Sequence, residues 1–201
     1  MASTTISPKD VSELRTRTGA GMMDCKRALE EAAGDMDKAS EILRKKGIAK
    51  AEKRAGKVAS QGVIVSYLHH NGQVGSLVEL NCETDFVART EDFQQLARDI
   101  ALHVASADPL AVNPEDIPAE LLERERRIAE EQVAQEGKPE NIRGKIVEGK
   151  LKKFVAERTL TEQPFVRDDK KTVGHLIKEA SGRLGEVISV RRFARFKIGE
   201  A

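Results

Sequence analysis

Four histidines, two cysteines and 33 carboxylates give this 201-residue chain the raw materials of catalysis. Their spacing does not assemble them. His69 and His70 suggest a metal site, but neighbours on a strand point to opposite faces and no third ligand stands nearby. Asp85 beside Thr84 suggests acid–base chemistry, yet no histidine, lysine or second carboxylate lies at a convincing spacing. Cys25 and Cys82 fall within regular elements and read as small core residues, and their separation fits no metal site or disulfide framework. A phosphate-cradling loop needs Gly-x-x-x-x-Gly-Lys followed by Ser or Thr. The nearest fragment is Gly56-Lys57-Val58, which lacks the hydroxyl and has Ala51 at the first glycine position. The chain reads as a non-enzyme with no cofactor and no metal.

Two turns carry unusual groups instead. Glu79 to Cys82 starts as a strand, breaks at Thr84-Asp85, places Phe86 next, and runs through Val87 toward a helix start. An aromatic residue just past a strand end, beside a carboxylate, is either a core anchor or a wedge aimed at a partner. Generic statistics favour the anchor. The second turn is Gly19-Ala20-Gly21-Met22-Met23, where glycines bend the chain and present two polarizable side chains between helices. One methionine is expected in the core and the other at the surface, where methionine suits partner contacts.

These turns need elements to hold them. Ser7-Pro8-Lys9-Asp10 is a helix start, with Ser7 as cap, proline at the first position and Asp10 on the positive end of the dipole. This helix buries Val11 and Leu14 and stops at Gly19. A second runs from about Met23 to Ala33, ending at Gly34. Asp35 caps a third, carrying Ala39, Ile42 and Leu43 and stopping at Gly47. The three make a bundle of about fifty residues with a thin aliphatic core and marginal stability. Arg44 to Lys57 holds seven basic residues and one acid. It reads as a solvated linker helix or as a contact for an acidic partner or RNA.

Beyond it the period changes. Gly62 to His70 and Val74 to Asn81 read as two antiparallel strands around an Asn71-Gly72 hairpin signal. Thr90 caps a helix from Glu91 to about Ala107, with Phe93, Leu96, Ile100 and Val104 on one face. After a proline-containing connection come two charged helices, about 119–136 and 139–158, joined through Gly137-Lys138-Pro139 as a helical hairpin. One seam is Leu121, Leu122, Ile128 and Val133. The other is Ile142, Ile146, Leu151, Phe154 and Val155. Gly144 and Gly149 weaken the second helix, each by about 1 kcal/mol relative to alanine, and suggest close backbone packing. Gln163 to Val166 is extended, Thr172 caps a short helix through Lys178, and Gly185 to Lys197 is a long strand that joins the hairpin. The fold class is α+β: an N-terminal three-helix bundle, then a small antiparallel sheet covered by helices with a helical hairpin. The expected division is 1–58 and 59–201.

Apolar residues make up 39% of the chain and aromatics 3%, so an exposed aromatic is a scarce resource. A net charge of +1 with 33% charged residues describes a mixed-sign surface, not the single basic field of a nucleic-acid binder. No apolar run approaches a membrane span, and the start lacks signal-peptide or transit-peptide features. A reducing cytoplasm is expected. The sheet predicts a homodimer: its edges are open, and Val187, Ile188, Val190, Phe193 and Phe196 give the last strand more apolar groups than one face needs. The alternative is that the two charged helices cover it.

Leu14 to Leu29, with its Gly21-Met22-Met23 turn, and Glu79 to Arg89, with Thr84-Asp85-Phe86-Val87, together closely resemble bacterial-type translation elongation factor Ts, over nearly the whole chain. The pair reverses the anchor preference for Phe86. The first bundle also resembles the ubiquitin-associated type of three-helix domain. The family resemblance implies a guanine-nucleotide exchange factor that releases GDP from elongation factor Tu, bound in its GDP and nucleotide-free states. It implies that Arg15, Met22, Met23 and Lys26 dock the nucleotide-binding domain of Tu. It implies that Thr84, Asp85, Phe86 and Val87 form the intruding turn, with Asp85 and Phe86 as the intruding pair. Many members carry two core subdomains; this chain has room for one, so a second copy would supply the other surface. The chief rival is an RNA- or ribosome-binding module using 44–57 and 191–197. A weaker one is an adaptor for ubiquitin-like partners.

Overall fold

The computed structural model describes residues 6–53, 56–137 and 139–200. Arg54 and Ala55 of the basic run, Lys138 of the hairpin turn and the first five residues lie outside them. The chain separates into two compact units. One comprises Met1–Val63, Leu80–Leu96 and Leu176–Ser189; the other comprises Ile64–Glu79, Ala97–His175 and Val190–Ala201.

The first unit begins with three helices, α1 (Pro8–Thr18), α2 (Met22–Glu31) and α3 (Met36–Lys53). Ser7 caps α1 reciprocally: its hydroxyl accepts from the Asp10 N–H at 3.1 Å, and the Asp10 carboxylate accepts from the Ser7 N–H at 3.2 Å. Gly19, at φ 68°, ends α1 by donating to the Arg15 carbonyl. The Asp35 carboxylate accepts from the N–H groups of Asp37 and Lys38, each at 3.0 Å, which opens α3. Val11, Leu14, Cys25, Ala28, Leu29, Ala32, Ala39 and Leu43 form the core of this bundle.

The third helix does not stop at Gly47; it continues to Lys53. At that position it runs against a second helix. A Cβ on Gly182, in α8 (Val173–Leu184), would come within 2.4 Å of the Gly47 backbone carbon. Two helix backbones therefore meet here, and Gly182 is the one with no room for a side chain; a Cβ on Gly47 would lie 3.5 Å from Gly182, an ordinary contact. The glycine that resembled a helix terminator lies inside a helix, beside this close approach.

The sheet has three antiparallel strands in the order β1 (Gln61–Leu68), β2 (Val74–Cys82), β5 (Ser189–Lys197). The hairpin closes where His69 N–H donates to the Val74 carbonyl at 2.8 Å, with Gly72 at φ 68° in its turn. Gly185, at φ 76°, precedes β5, so that strand starts later than its composition suggested. After β2 come a single helical turn, α4 (Asp85–Ala88), and then α5 (Glu91–Ala107). The Thr90 hydroxyl accepts from the Phe93 N–H, and Phe93, Leu96, Ile100 and Val104 are all buried.

In the second unit, Ser76 of β2 donates to the Ala101 carbonyl of α5 at 2.7 Å. The helical hairpin is α6 (Ala119–Gln135) and α7 (Glu140–Arg158). Its seam is narrower than the sequence pattern. Ala129, Val133, Val147 and Leu151 are buried, with Ile146 packed against them. Ile128 and Ile142 are exposed. A Cβ added at Gly144 or Gly149 would meet nothing within 4 Å, so neither glycine serves close packing. Pro164–Phe165 (β3) pairs antiparallel with Asp168–Thr172 (β4), a second small sheet that charged β4 does not advertise. Thr172 caps α8 by accepting from the His175 N–H at 3.1 Å, and the helix runs six residues past Lys178, to Leu184.

Candidate partner-binding site

The turn around Phe86 is built from the backbone outward. Strand β2 ends at Cys82, which is fully buried. Burial raises its thiol pKa, and the nearby Glu186 charge adds to the effect, so it is an inert core group rather than a nucleophile. Thr84 has extended dihedrals and its hydroxyl accepts from the Val87 N–H at 3.4 Å, capping α4. Ala88 is buried and holds the turn from below. Asp85 pairs with Arg89 at 3.0 Å along the outside. Phe86 is 80% exposed. The anchoring role that its type suggests is taken by Ala88 and Phe93, and the aromatic ring is left to solvent.

Residues that sequence reasoning did not single out also hold this turn. The Glu186 carboxylate accepts from the N–H of Glu83 at 3.1 Å, the N–H of Thr84 at 3.0 Å and the hydroxyl of Thr84 at 2.6 Å. Glu83 returns the contact, accepting from the Val187 N–H at 2.9 Å, and Lys57 lies 2.9 Å from its other oxygen. The only hint in the sequence is a glutamate directly after Gly185; nothing local says which backbone it meets.

The second turn is also presented outward. Gly21 is the N-cap of α2, so Met22 and Met23 occupy the helix's first turn. They are 53% and 63% exposed. The expectation that one of them is core is therefore wrong. Cys25, Ala28 and Leu29, further along α2, fill the bundle instead. Arg15 and Lys26 are exposed, and Lys26 makes a long contact with Glu30 at 3.9 Å. Asp24 accepts from Arg27 at 2.7 Å and Lys50 at 3.2 Å. The Lys50 hydrogen bond is the main cause holding its carboxyl below the usual range. Both turns belong to the first compact unit.

The basic run is engaged with acids. Lys45 meets Glu41, Lys46 meets Glu31, Lys50 meets Asp24, Arg44 meets Glu179 and Lys57 meets Glu83. These contacts offset much of the positive field that the sequence suggests. His69 and His70 lie past the end of β1, so strand alternation does not separate them; their ring centroids are 4.1 Å apart, and the Tyr67 hydroxyl is 3.0 Å from His69 Nδ1. Among the described residues, no group of three or more His, Cys, Asp or Glu side chains could hold a metal ion. No helix among them is long and apolar enough to cross a membrane.

Residues 8–200 match the family described as Elongation factor TS. The chain is 56% identical over 195 residues to elongation factor Ts of Thermosipho melanesiensis, covering 97% of this chain and all of that one. It is 55% identical to the Carboxydothermus hydrogenoformans protein of the same name, covering 97% and 90%. The Syntrophomonas wolfei protein of that name is also 55% identical, with coverage of 97% and 91%. Identity at this level over nearly the whole chain shows that the chain belongs to the elongation factor Ts family and acts in translation elongation.

Proposed function

We propose that the chain is a guanine-nucleotide exchange factor that binds elongation factor Tu and promotes release of GDP. The observation that carries this reading is Phe86: one of few aromatics, 80% exposed, on a turn pinned by buried neighbours. An aromatic ring held outward on a fixed turn has the large, rigid apolar area that anchors in a partner's pocket use. Thr84, Asp85, Phe86 and Val87 enter the partner beside its magnesium and phosphate groups. Arg15, Met22, Met23 and Lys26 supply the docking contacts.

The mechanism is linkage. A factor that binds nucleotide-free Tu more tightly than GDP-bound Tu must weaken GDP binding by the same ratio. Each tenfold loss of GDP affinity corresponds to about 1.4 kcal/mol of differential contact. A buried aromatic anchor contributes a few kcal/mol in favourable interfaces. No covalent bond changes, so the protein needs no nucleophile and no general acid, and it is not an enzyme in the chemical sense. On this reading residues 1–58 dock and 59–201 carry the intruding turn. The protein works as a homodimer in the cytoplasm.

Release of fluorescent GDP from elongation factor Tu tests the proposal. The wild-type chain accelerates it. Phe86→Ala slows it sharply while changing stability by less than about 0.5 kcal/mol, because the ring is exposed. A large loss of stability with exchange per folded molecule unchanged would refute the wedge.

A further inference from the structure

We infer that Glu186 is a positioning residue for exchange: its carboxylate holds the Thr84–Val87 turn in the geometry that presents Phe86. The inference rests on the exchange reading above and extends it to a residue about a hundred positions downstream of the turn.

The physical need for such a residue follows from the turn itself. Helix α4 is four residues long. A single helical turn has almost no intrinsic stability, because nucleation fixes several residues for very few hydrogen bonds. Phe86 cannot fix the turn by its own burial, since it is exposed. Ala88 anchors the turn's end but buries only a methyl group. The orientation of Phe86 therefore depends on what holds the backbone where the chain leaves β2.

The Cys82 thiol donates to the Thr84 carbonyl at 3.1 Å and the Thr90 hydroxyl to the Val87 carbonyl at 2.7 Å, but the charged part of that hold is one carboxylate. Oε2 of Glu186 accepts from two successive backbone N–H groups, those of Glu83 at 3.1 Å and Thr84 at 3.0 Å. Oε1 accepts from the Thr84 hydroxyl at 2.6 Å. The same hydroxyl oxygen accepts from the Val87 N–H, so a chain of hydrogen bonds runs from Glu186 through Thr84 into α4. Hydrogen bonds to a charged acceptor are about twice as strong as neutral ones. The clasp is reciprocal. Glu83 Oε1 accepts from the Val187 N–H at 2.9 Å, and Lys57, 2.9 Å from Glu83 Oε2, offsets the charge of having two carboxylates close together. Hydrogen bonds given in both directions thus lock residues 83–84 to residues 186–187. All the groups involved belong to the first compact unit.

Without Glu186 the turn samples other orientations, and the partner must order it on binding. That ordering is charged against the step in which Phe86 enters. Docking through Arg15, Met22, Met23 and Lys26 is untouched, since these residues lie on the helical bundle and not on the clasp. The prediction is a split: the maximal rate of GDP release falls while the half-saturating concentration holds.

The experiment uses full-length Glu186→Ala, Glu186→Gln and Phe86→Ala with Tu loaded with fluorescent GDP. Amide exchange of Glu83 and Thr84 is followed by NMR on the free proteins. In Glu186→Ala those two amides exchange faster, and the maximal release rate falls about 10- to 100-fold, the range for losing charge-assisted bonds. The half-saturating concentration changes less than about threefold. Glu186→Gln keeps one acceptor oxygen and its shape, so it recovers part of the rate and part of the protection. A maximal rate equal to wild type in Glu186→Ala, with Phe86→Ala slowed, overturns the positioning role and leaves the wedge standing. If Phe86→Ala is also as fast as wild type, the wedge reading fails; if the wild type does not accelerate release, the exchange reading itself fails. Should the alanine variant not fold, Glu186→Gln decides: wild-type rate together with faster amide exchange overturns the inference, and a reduced rate at unchanged half-saturation supports it.

Discussion

At the scale of single residues, the chain separates exposure from burial in ways that residue type does not. Phe86 and the two methionines are in water, whereas His103 is fully buried. Gln163 Nε2 donates to the Glu157 carbonyl, so its oxygen is the acceptor facing His103 Nε2 at 2.9 Å. His103 Nδ1 then accepts from the Val166 N–H at 3.3 Å, which fixes a neutral imidazole between two partners. Burial lowers its pKa from the ordinary 6.5. The sign follows: with the folded value below the unfolded one, its stabilising effect is complete above about pH 6.5 and is lost as pH falls through that value and below. Urea denaturation at about pH 7.5 and pH 5.5 should show the wild type losing stability at the lower pH, with the loss reduced in His103→Gln. The methionines give a second expectation. Met22→Ser combined with Met23→Ser should leave the melting temperature nearly unchanged and weaken affinity for Tu mostly through faster dissociation. Surface plasmon resonance measures both rates, and an unchanged off-rate would remove this turn from the interface.

At the scale of elements, the outlines were legible where local chemistry decides and misleading where distant neighbours do. The Ser7 cap, the Gly19 stop, the Asn71-Gly72 hairpin and the Thr90 and Thr172 caps all act within a few residues, and each stands where the sequence puts it. Gly47 is the counterexample. The residue it packs against, Gly182, is 135 positions away, and no local pattern distinguishes a helix-ending glycine from one inside a helix beside another backbone. The hairpin glycines 144 and 149 err in the opposite direction, since packing was expected and open space is found. Met22 and Met23 are alike in type, and only the start of α2 at Met22 turns both outward. The Phe86 turn was legible as a feature, but the clasp on it was not, because Glu186 reaches it from the far end of the sequence. The glycine pair makes a prediction at this scale. Gly182→Ala places a methyl group against fixed backbone rather than a yielding side chain, so it should cost about 1–3 kcal/mol although alanine is the better helix former. Thermal melts of Gly182→Ala and, as a control, Gly144→Ala would separate the effects; the control should be neutral or stabilising by up to about 1 kcal/mol.

At the scale of the whole molecule, the sheet leaves apolar groups uncovered. Ile64 and Leu68 of β1, Leu77 of β2 and Phe196 of β5 are all exposed, whereas Ile188 and Val190 near the start of β5 are buried. That row supports the proposed homodimer and sets its test. Sedimentation equilibrium at micromolar protein should give twice the chain mass, and Leu68→Glu with Phe196→Glu should give the monomer. A monomeric wild type with full exchange activity would mean that a single chain suffices. The strand order β1-β2-β5 carries a further consequence, in time rather than space. About a hundred residues separate the end of β2 from the start of β5. At about 5–20 residues per second, a ribosome spends roughly 5–20 s between finishing the hairpin and supplying its third strand. During that interval the nascent hairpin has an unpaired edge on β2, where β5 will bind, and the apolar row of β1 beside it. A protein that serves the ribosome thus depends on the ribosome's own pace, and slow codons between 83 and 188 would prolong the period in which its hairpin is open to mispairing.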